Sequence, residues 1–313
     1  MGLLLASALA LGSCQGASEH PYRSYPSAEE ATAAEDWPRA AELWFDVHQR
    51  EGVKTQHTYL QTARALYKSG DTESACGMLT RGLADFPYDT ELLAYKAGLL
   101  EKCGFERAAE PLYSRLVDVD PSNVPALIAL GRIRAGLGLE RSAIGPLEAA
   151  VLLAPDAVEA HRYLAETYAC TGRELPAFRS YSSAIEQGLD DPDALLAAAR
   201  LATHSEVVAG VAESRRIALG WLDELVARDP QCTQAHYLRG RYLQALERSE
   251  EAIEAFTRAV ETDPGCLVAL TRLATLYAEQ GDVVHTAEMV ERALEIEEDP
   301  TRRETLEALV VGR

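Results

Sequence analysis

A chain of 313 residues with 30 Lys and Arg against 49 Asp and Glu carries a formal net charge of −19. Such a surface has little counterion release to draw on, which argues against general affinity for DNA, RNA or anionic lipid surfaces. Hydrophobic residues make up 47% of the chain but aromatics only 7%, a balance that fits Ala- and Leu-rich helices packed at close range.

The N-terminal residues 3–11 (LLLASALAL) form an apolar run of nine, too short to span a bilayer as a helix, and small residues follow it. Residues 1–13 read as a signal peptide, although Met1-Gly2 supplies no Lys or Arg. Leu11-Gly12-Ser13-Cys14 resembles the bacterial lipobox, in which the cysteine is lipidated and becomes the new N-terminus. The resemblance implies a lipid anchor at Cys14, a tether over 14–21 and residence at the envelope of a Gram-negative-type bacterium. An ordinary secretory signal cleaved near the same point is the alternative.

Downstream the chain keeps a ruler of 34 residues. Pro87, Pro121 and Pro155 are spaced by it, and so are Pro230 and Pro264. With proline counted as position 32, position 20 is Ala75, Ala109, Ala143, Ala177, Ala218 and Ala252. Position 8 is Ala63, Ala97, Gly131, Ala165, Ala199 and Gly240, and position 24 is mostly larger, as in Leu147, Tyr181 and Phe256. Small residues at 8 and 20 let two antiparallel helices approach closely, and the larger residue at 24 fills the seam with the following unit.

These positions resemble the tetratricopeptide (TPR) repeat. Leu127, Leu130-Gly131, Ala143, Leu147, Ala150 and Pro155 match its pattern in one unit, and His161, Leu164-Ala165, Tyr168, Ala177, Tyr181 and Ala184 in the next. The register runs from Gln56 to Asp191 without a gap. The resemblance implies an all-α, right-handed superhelical solenoid of about seven to eight helix pairs over 22–300, with units at 22–54, 56–89, 90–123, 124–157, 158–191, 192–232, 233–266 and 267–300. The end units are degenerate, as expected where a repeat must meet water. In the first, 28–34 is weakly patterned; in the last, Thr286 replaces the expected alanine. Residues 301–313 read as a capping helix with Leu306, Leu309 and Val310 turned towards the last repeat.

The unit 192–232 holds seven residues more than a TPR allows, around 204–212, equal to nearly two helical turns. The extra length is either a tolerated extension of the helix pair or a protruding contact element. The cysteines beyond Cys14 form no CxxC pair. Cys76 and Cys103 fall at similar heights on facing helices and read as small packing residues or as a bridged pair. Cys232 and Cys266, one repeat apart, lie beyond disulfide reach. The seven histidines show no metal-binding spacing, and no phosphate loop or nucleophile elbow is present, so neither a cofactor, a metal nor catalysis is expected. His161 and His236 take a position the family gives to an aromatic and read as packing residues.

In TPR arrays the concave face is lined by first-helix positions 2, 5, 9, 12 and 13. Over the seven units from residue 56 those positions hold seven basic and six acidic residues, far less acidic than the chain as a whole. Arg64, Arg132, Arg200 and Arg241 share position 9, and Tyr67, Lys68, Arg162 and Tyr237 lie on the same face. The expected ligand is an extended or helical peptide with acidic groups, its carboxylates taken by arginine forks. Pairing of these arginines with acidic neighbours inside the array is the competing expectation. The resemblance therefore implies a non-catalytic adaptor, lipid-anchored and peptide-binding. The alternative is a soluble periplasmic or secreted accessory subunit that regulates an enzyme or export complex.

Overall fold

The computed structural model describes residues 24–49, 52–204 and 213–311. Among them are seventeen α-helices and no strands. The chain divides into two compact units, one ending at Pro121 and one beginning at Ser122, a break that falls at a repeat boundary.

The first unit contains α1 (Tyr25–Ala33), α2 (Trp37–Gln49), α3 (Gln56–Lys68), α4 (Thr72–Asp85), α5 (Thr90–Lys102) and α6 (Glu106–Val119). Helix starts follow capping chemistry: Thr55, Asp71 and Asp89 each accept a hydrogen bond from the backbone N–H three residues on. The weakly patterned N-terminal segment does form a helix, and it does so because of what α2 presents to it. Trp44 is fully buried against Ala28 and Ala31, and its indole Nε1 donates to Thr32 Oγ1 at 2.8 Å. The Thr32 hydroxyl in turn donates to the Ala28 carbonyl at 2.8 Å, so no polar atom of this contact is stranded.

The second unit contains α7 (Val124–Gly136), α8 (Glu140–Leu153), α9 (Val158–Cys170), α10 (Glu174–Glu186), α11 (Pro192–Leu201), α12 (Ser214–Arg228), α13 (Thr233–Ala245), α14 (Ser249–Thr262), α15 (Leu267–Gln280), α16 (Val283–Ile296) and α17 (Pro300–Val311). Each first helix packs on the second helix of its own repeat. A Cβ on Gly240 would lie 2.7 Å from the Phe256 ring, and one on Gly131 would lie 2.4 Å from Leu147 Cγ. The large residue at position 24 thus sits over position 8 of its own repeat. Close approach of the paired helices is what demands the small residue.

The repeat period is also written in the backbone. Gly70, Gly104, Gly138 and Gly172, 34 residues apart, all adopt positive φ in the turn between the two helices, and Gly281 repeats the conformation in the last pair. Glu247 takes the same place with φ 61° although it has a side chain. His161 and His236 pack as expected, and each Nε2 also lies 2.9 Å from the carbonyl of the preceding position-32 proline, Pro155 and Pro230. Thr286 is buried where an alanine was expected, and its hydroxyl donates to the Asp282 carbonyl at 2.6 Å.

One expectation changes at particular residues. Cys76 and Cys103 carry free thiols, which removes the bridged alternative. In α17, Leu306 is buried at 4% exposure, Leu309 is partly buried against the core, and Val310, 37% exposed, lines a cleft with Ala278, Val283 and Thr286 of the last repeat. Most of the inserted stretch, 205–212, lies outside the described residues, as do Cys14 and the segment read as a signal peptide. What is described of that repeat is a short first helix of ten residues, against thirteen in α3, α5, α7, α9 and α13. His204, just beyond it, is exposed and pairs through Nδ1 with Glu174.

Candidate functional site

Helices α3 and α5 of the first unit lie side by side and enclose an open cavity of about 670 Å³. From α3 it receives Leu60, Arg64, Tyr67 and Lys68; from α5 it receives Glu91, Tyr95, Gly98 and Lys102, with Ala94 and Leu99 completing the wall. The α3 set follows from helical spacing: residues 60, 64, 67 and 68 are three or four apart and therefore share a face. The same holds for 91, 95, 98 and 102. Three of the residues expected from sequence, Arg64, Tyr67 and Lys68, are thus brought together.

The cavity carries three cations, Arg64, Lys68 and Lys102, against the single carboxylate of Glu91. Arg64 and Lys68 are exposed, so their charged ends reach water while their stems cover the apolar floor. The Lys68 ammonium stands 5.9 Å from the centre of the Trp37 ring, a cation–π distance that leaves the rest of its donors open. Burial raises the Tyr95 phenol above its ordinary range, Arg64 draws it back down, and Tyr67 adds a smaller upward push. Tyr67 and Tyr95 thus present flat rings beside a positive rim. Gly98 leaves depth to the cavity: a Cβ there would meet only the Tyr113 hydroxyl, at 3.7 Å.

In the second unit the expected residues disperse. Arg162 donates to Glu166 at 2.8 Å and lies 4.1 Å over the Tyr163 ring. Burial opposes its charge, but Glu166 and Tyr163 more than offset that and hold its pKa above the usual guanidinium value. This arginine follows the competing expectation, an internal pair. Arg200 donates to Gln234 Oε1 at 3.1 Å, and Arg241 stands 5.9 Å over the Tyr237 ring. Tyr237 lines a second cavity of about 360 Å³ with Leu267, Thr271, Arg272 and Thr275 of α15 and with Arg302, Leu306 and Leu309 of α17. Arg132, on α7, is half-buried and lines neither cavity.

Sequence reasoning missed Tyr95. It occupies position 6, outside the five concave positions, and the signal that finds it is its place four residues after Glu91 and seven before Lys102 on one helical stripe. Among the described residues no group of three or more His, Cys, Asp or Glu could hold a metal, and no helix is long and apolar enough to cross a membrane.

The cavity is walled by the first helices of neighbouring helix pairs. A model of the family described as tetratricopeptide repeat matches residues 208–266 and 237–301, so this part of the chain carries TPR repeats. Among solved structures, the C-terminal part of a TPR repeat-containing protein from Cytophaga hutchinsonii is similar with a TM-score of 0.57 at 16% identity, over 77% of this chain and 95% of that one. A TPR protein from Parabacteroides merdae gives 0.51 at 16% identity, over 82% and 98%. YrrB, described as a TPR protein with an unusual peptide-binding site, gives 0.54 at 18% identity, over 62% and 97%. At these identities the likeness is one of fold. A curated relative is a probable UDP-N-acetylglucosamine–peptide N-acetylglucosaminyltransferase, SPINDLY, of Arabidopsis thaliana, 31% identical over 77 residues. The match spans 25% of this chain and 8% of that protein.

Proposed function

We propose that the chain is a non-catalytic adaptor whose first unit takes an acidic peptide segment of a protein partner into the α3–α5 cavity. The observation that carries this is the local inversion of charge: three cations to one carboxylate in a cavity of about 670 Å³, on a chain of net charge −19. Arg64 offers a planar fork for a carboxylate, while Lys68 and Lys102 act as point charges. Tyr67 and Tyr95 provide flat contact area at low cost in side-chain entropy. That YrrB is a TPR protein described as binding peptide supports the class of ligand and nothing finer.

Fluorescence anisotropy with two labelled peptides, one rich in Asp, Glu and Leu and one with Lys in place of the acids, tests the reading. The acidic peptide is expected to bind, and Arg64→Ala with Lys68→Ala is expected to weaken it at least ~tenfold, about 1.4 kcal/mol. Equal binding of both peptides, or no response to the double substitution, would remove the cavity from consideration.

The location belongs to the same proposal. The lipobox-like Leu11-Gly12-Ser13-Cys14 supports an adaptor anchored by lipid at the bacterial envelope and facing the periplasm or cell surface. Labelled palmitate is expected in the wild-type protein and absent from Cys14→Ala. Release of Cys14→Ala from membranes follows from the same anchor, and a protein that takes no label would point to the soluble accessory subunit instead.

A further inference from the structure

Helix α17 leaves one flank open among the described residues. Each first helix from α3 to α15 packs on a second helix of its own repeat, whereas α17, which stands in the place of a first helix, packs on α15 and α16 and has no such companion among the described residues. The flank it leaves open is a groove of about 530 Å³ between α16 and α17. Val290 and Ala287 form its floor, Leu294 is half-buried in its wall, and Val310 closes one side. Val310 also borders a small adjoining cleft with Val283, which is 58% exposed. Next to it in the chain Val284 is 75% exposed. Exposed aliphatic side chains beside an apolar groove with a polar rim mark a contact surface.

The rim is acidic. Glu291 and Glu295 stand one turn apart on α16, and Glu307 faces them from α17. All three are exposed and form no ion pair among the described residues. The one cation in the groove, Arg303, is committed elsewhere: its Nη1 donates to the carbonyl of Leu294 and, at 2.7 Å, to that of Glu297, closing the C-terminal end of α16. The groove therefore presents apolar depth with three carboxylates at its edges against one guanidinium whose donors are engaged by backbone carbonyls.

We infer that this groove seats a basic amphipathic helix of a partner protein, along the flank on which the first helices of the other repeats carry a second helix. The partner's aliphatic residues at i, i+3, i+4 and i+7 would lie along Val290, Leu294 and Val310, with Lys or Arg on the flanks meeting Glu291, Glu295 and Glu307. A helical occupant fits because the site is one repeat's helix seat, and a basic one fits because the rim carboxylates lack partners. The site shares no residue with the α3–α5 cavity and accepts the opposite charge.

The probe is a fluorescein-labelled synthetic helix with Leu at that spacing and Lys on both flanks, titrated into the full chain and followed by anisotropy. The variant Glu291→Gln/Glu295→Gln/Glu307→Gln is expected to weaken its binding at least ~tenfold. The variant Glu247→Gln/Glu250→Gln/Glu254→Gln, with the same change in net charge on exposed residues elsewhere, is expected to leave it unchanged. Val310→Asp, which wets the apolar stripe at an exposed position, is expected to abolish it with thermal unfolding preserved. Equal losses in both charge variants would reduce the effect to the general field of the chain and overturn the site. Self-association in sedimentation that Val310→Asp removes would also overturn it, since the occupant would then be a second copy.

Discussion

Replacing Phe256 with alanine is expected to destabilise the second unit by about 3–5 kcal/mol, the usual range for emptying a buried aromatic site. The ring is fully buried and lies directly over Gly240, so the backbone of α13 forms part of its socket. A socket made of backbone does not collapse easily, which places the cost in the upper part of the range. The converse change, Gly240→Leu, is expected to cost about 1–3 kcal/mol by overpacking. Because both substitutions act on one contact, they should not add. The double variant, in which the new leucine enters the space left by the ring, is expected to be more stable than the sum of the single losses predicts. Urea unfolding of the four proteins measures the coupling, and strict additivity would show that position 24 does not rest on position 8.

Trp44→Ala is expected to cost about 3–5 kcal/mol as well, but its effect should be confined in space. Trp44 meets the Tyr25 ring at 5.1 Å and the His57 ring at 5.7 Å, and it supplies the only side-chain donor seen on Thr32 Oγ1 among the described residues. Helix α1 has little apolar patterning of its own, so its stability comes from this contact. In an array whose stability is a sum of neighbour terms, loss at one end opens that end first. Hydrogen exchange in α1 and α2 is therefore expected to become fast in the variant, with α14 still protected. Unchanged protection of α1 would mean that something other than Trp44 holds it.

These effects explain why most of the fold is legible in the sequence. Ala143, Ala177 and Gly240 report helix approach through their size, and size survives translation from sequence to structure because a Cβ either fits or does not. The α3 part of the candidate site is legible for a related reason, since Arg64, Tyr67 and Lys68 follow from one helical face. Tyr95 was harder to see. It lies at a position whose direction depends on how closely α3 and α5 approach, a quantity no single helix encodes. Pairing was harder still: the concave positions select Arg162 as readily as Arg64, but Glu166 one turn on engages the first, while the residue one turn after the second on α3 is Lys68. At α17 the helical pattern groups Val310 with Leu306 and Leu309, but burial falls off along that stripe, from 4% exposure at Leu306 to 37% at Val310.

The joint between paired helices has a consequence for how such a chain can change. The turn enters the left-handed region at Gly70, Gly104, Gly138, Gly172 and Gly281, and it does so at Glu247 too, where no glycine relieves the backbone. The conformation is thus imposed by the two helices it links, at a cost on the order of 1 kcal/mol where a side chain is present. Outside the lengthened repeat, these joints are then the same part. Excision or duplication of one 34-residue block would bring together two ends already shaped to fit, so gene-level gain and loss of whole repeats is the mutation this architecture absorbs most readily, while insertion of a few residues within a helix is the one it resists.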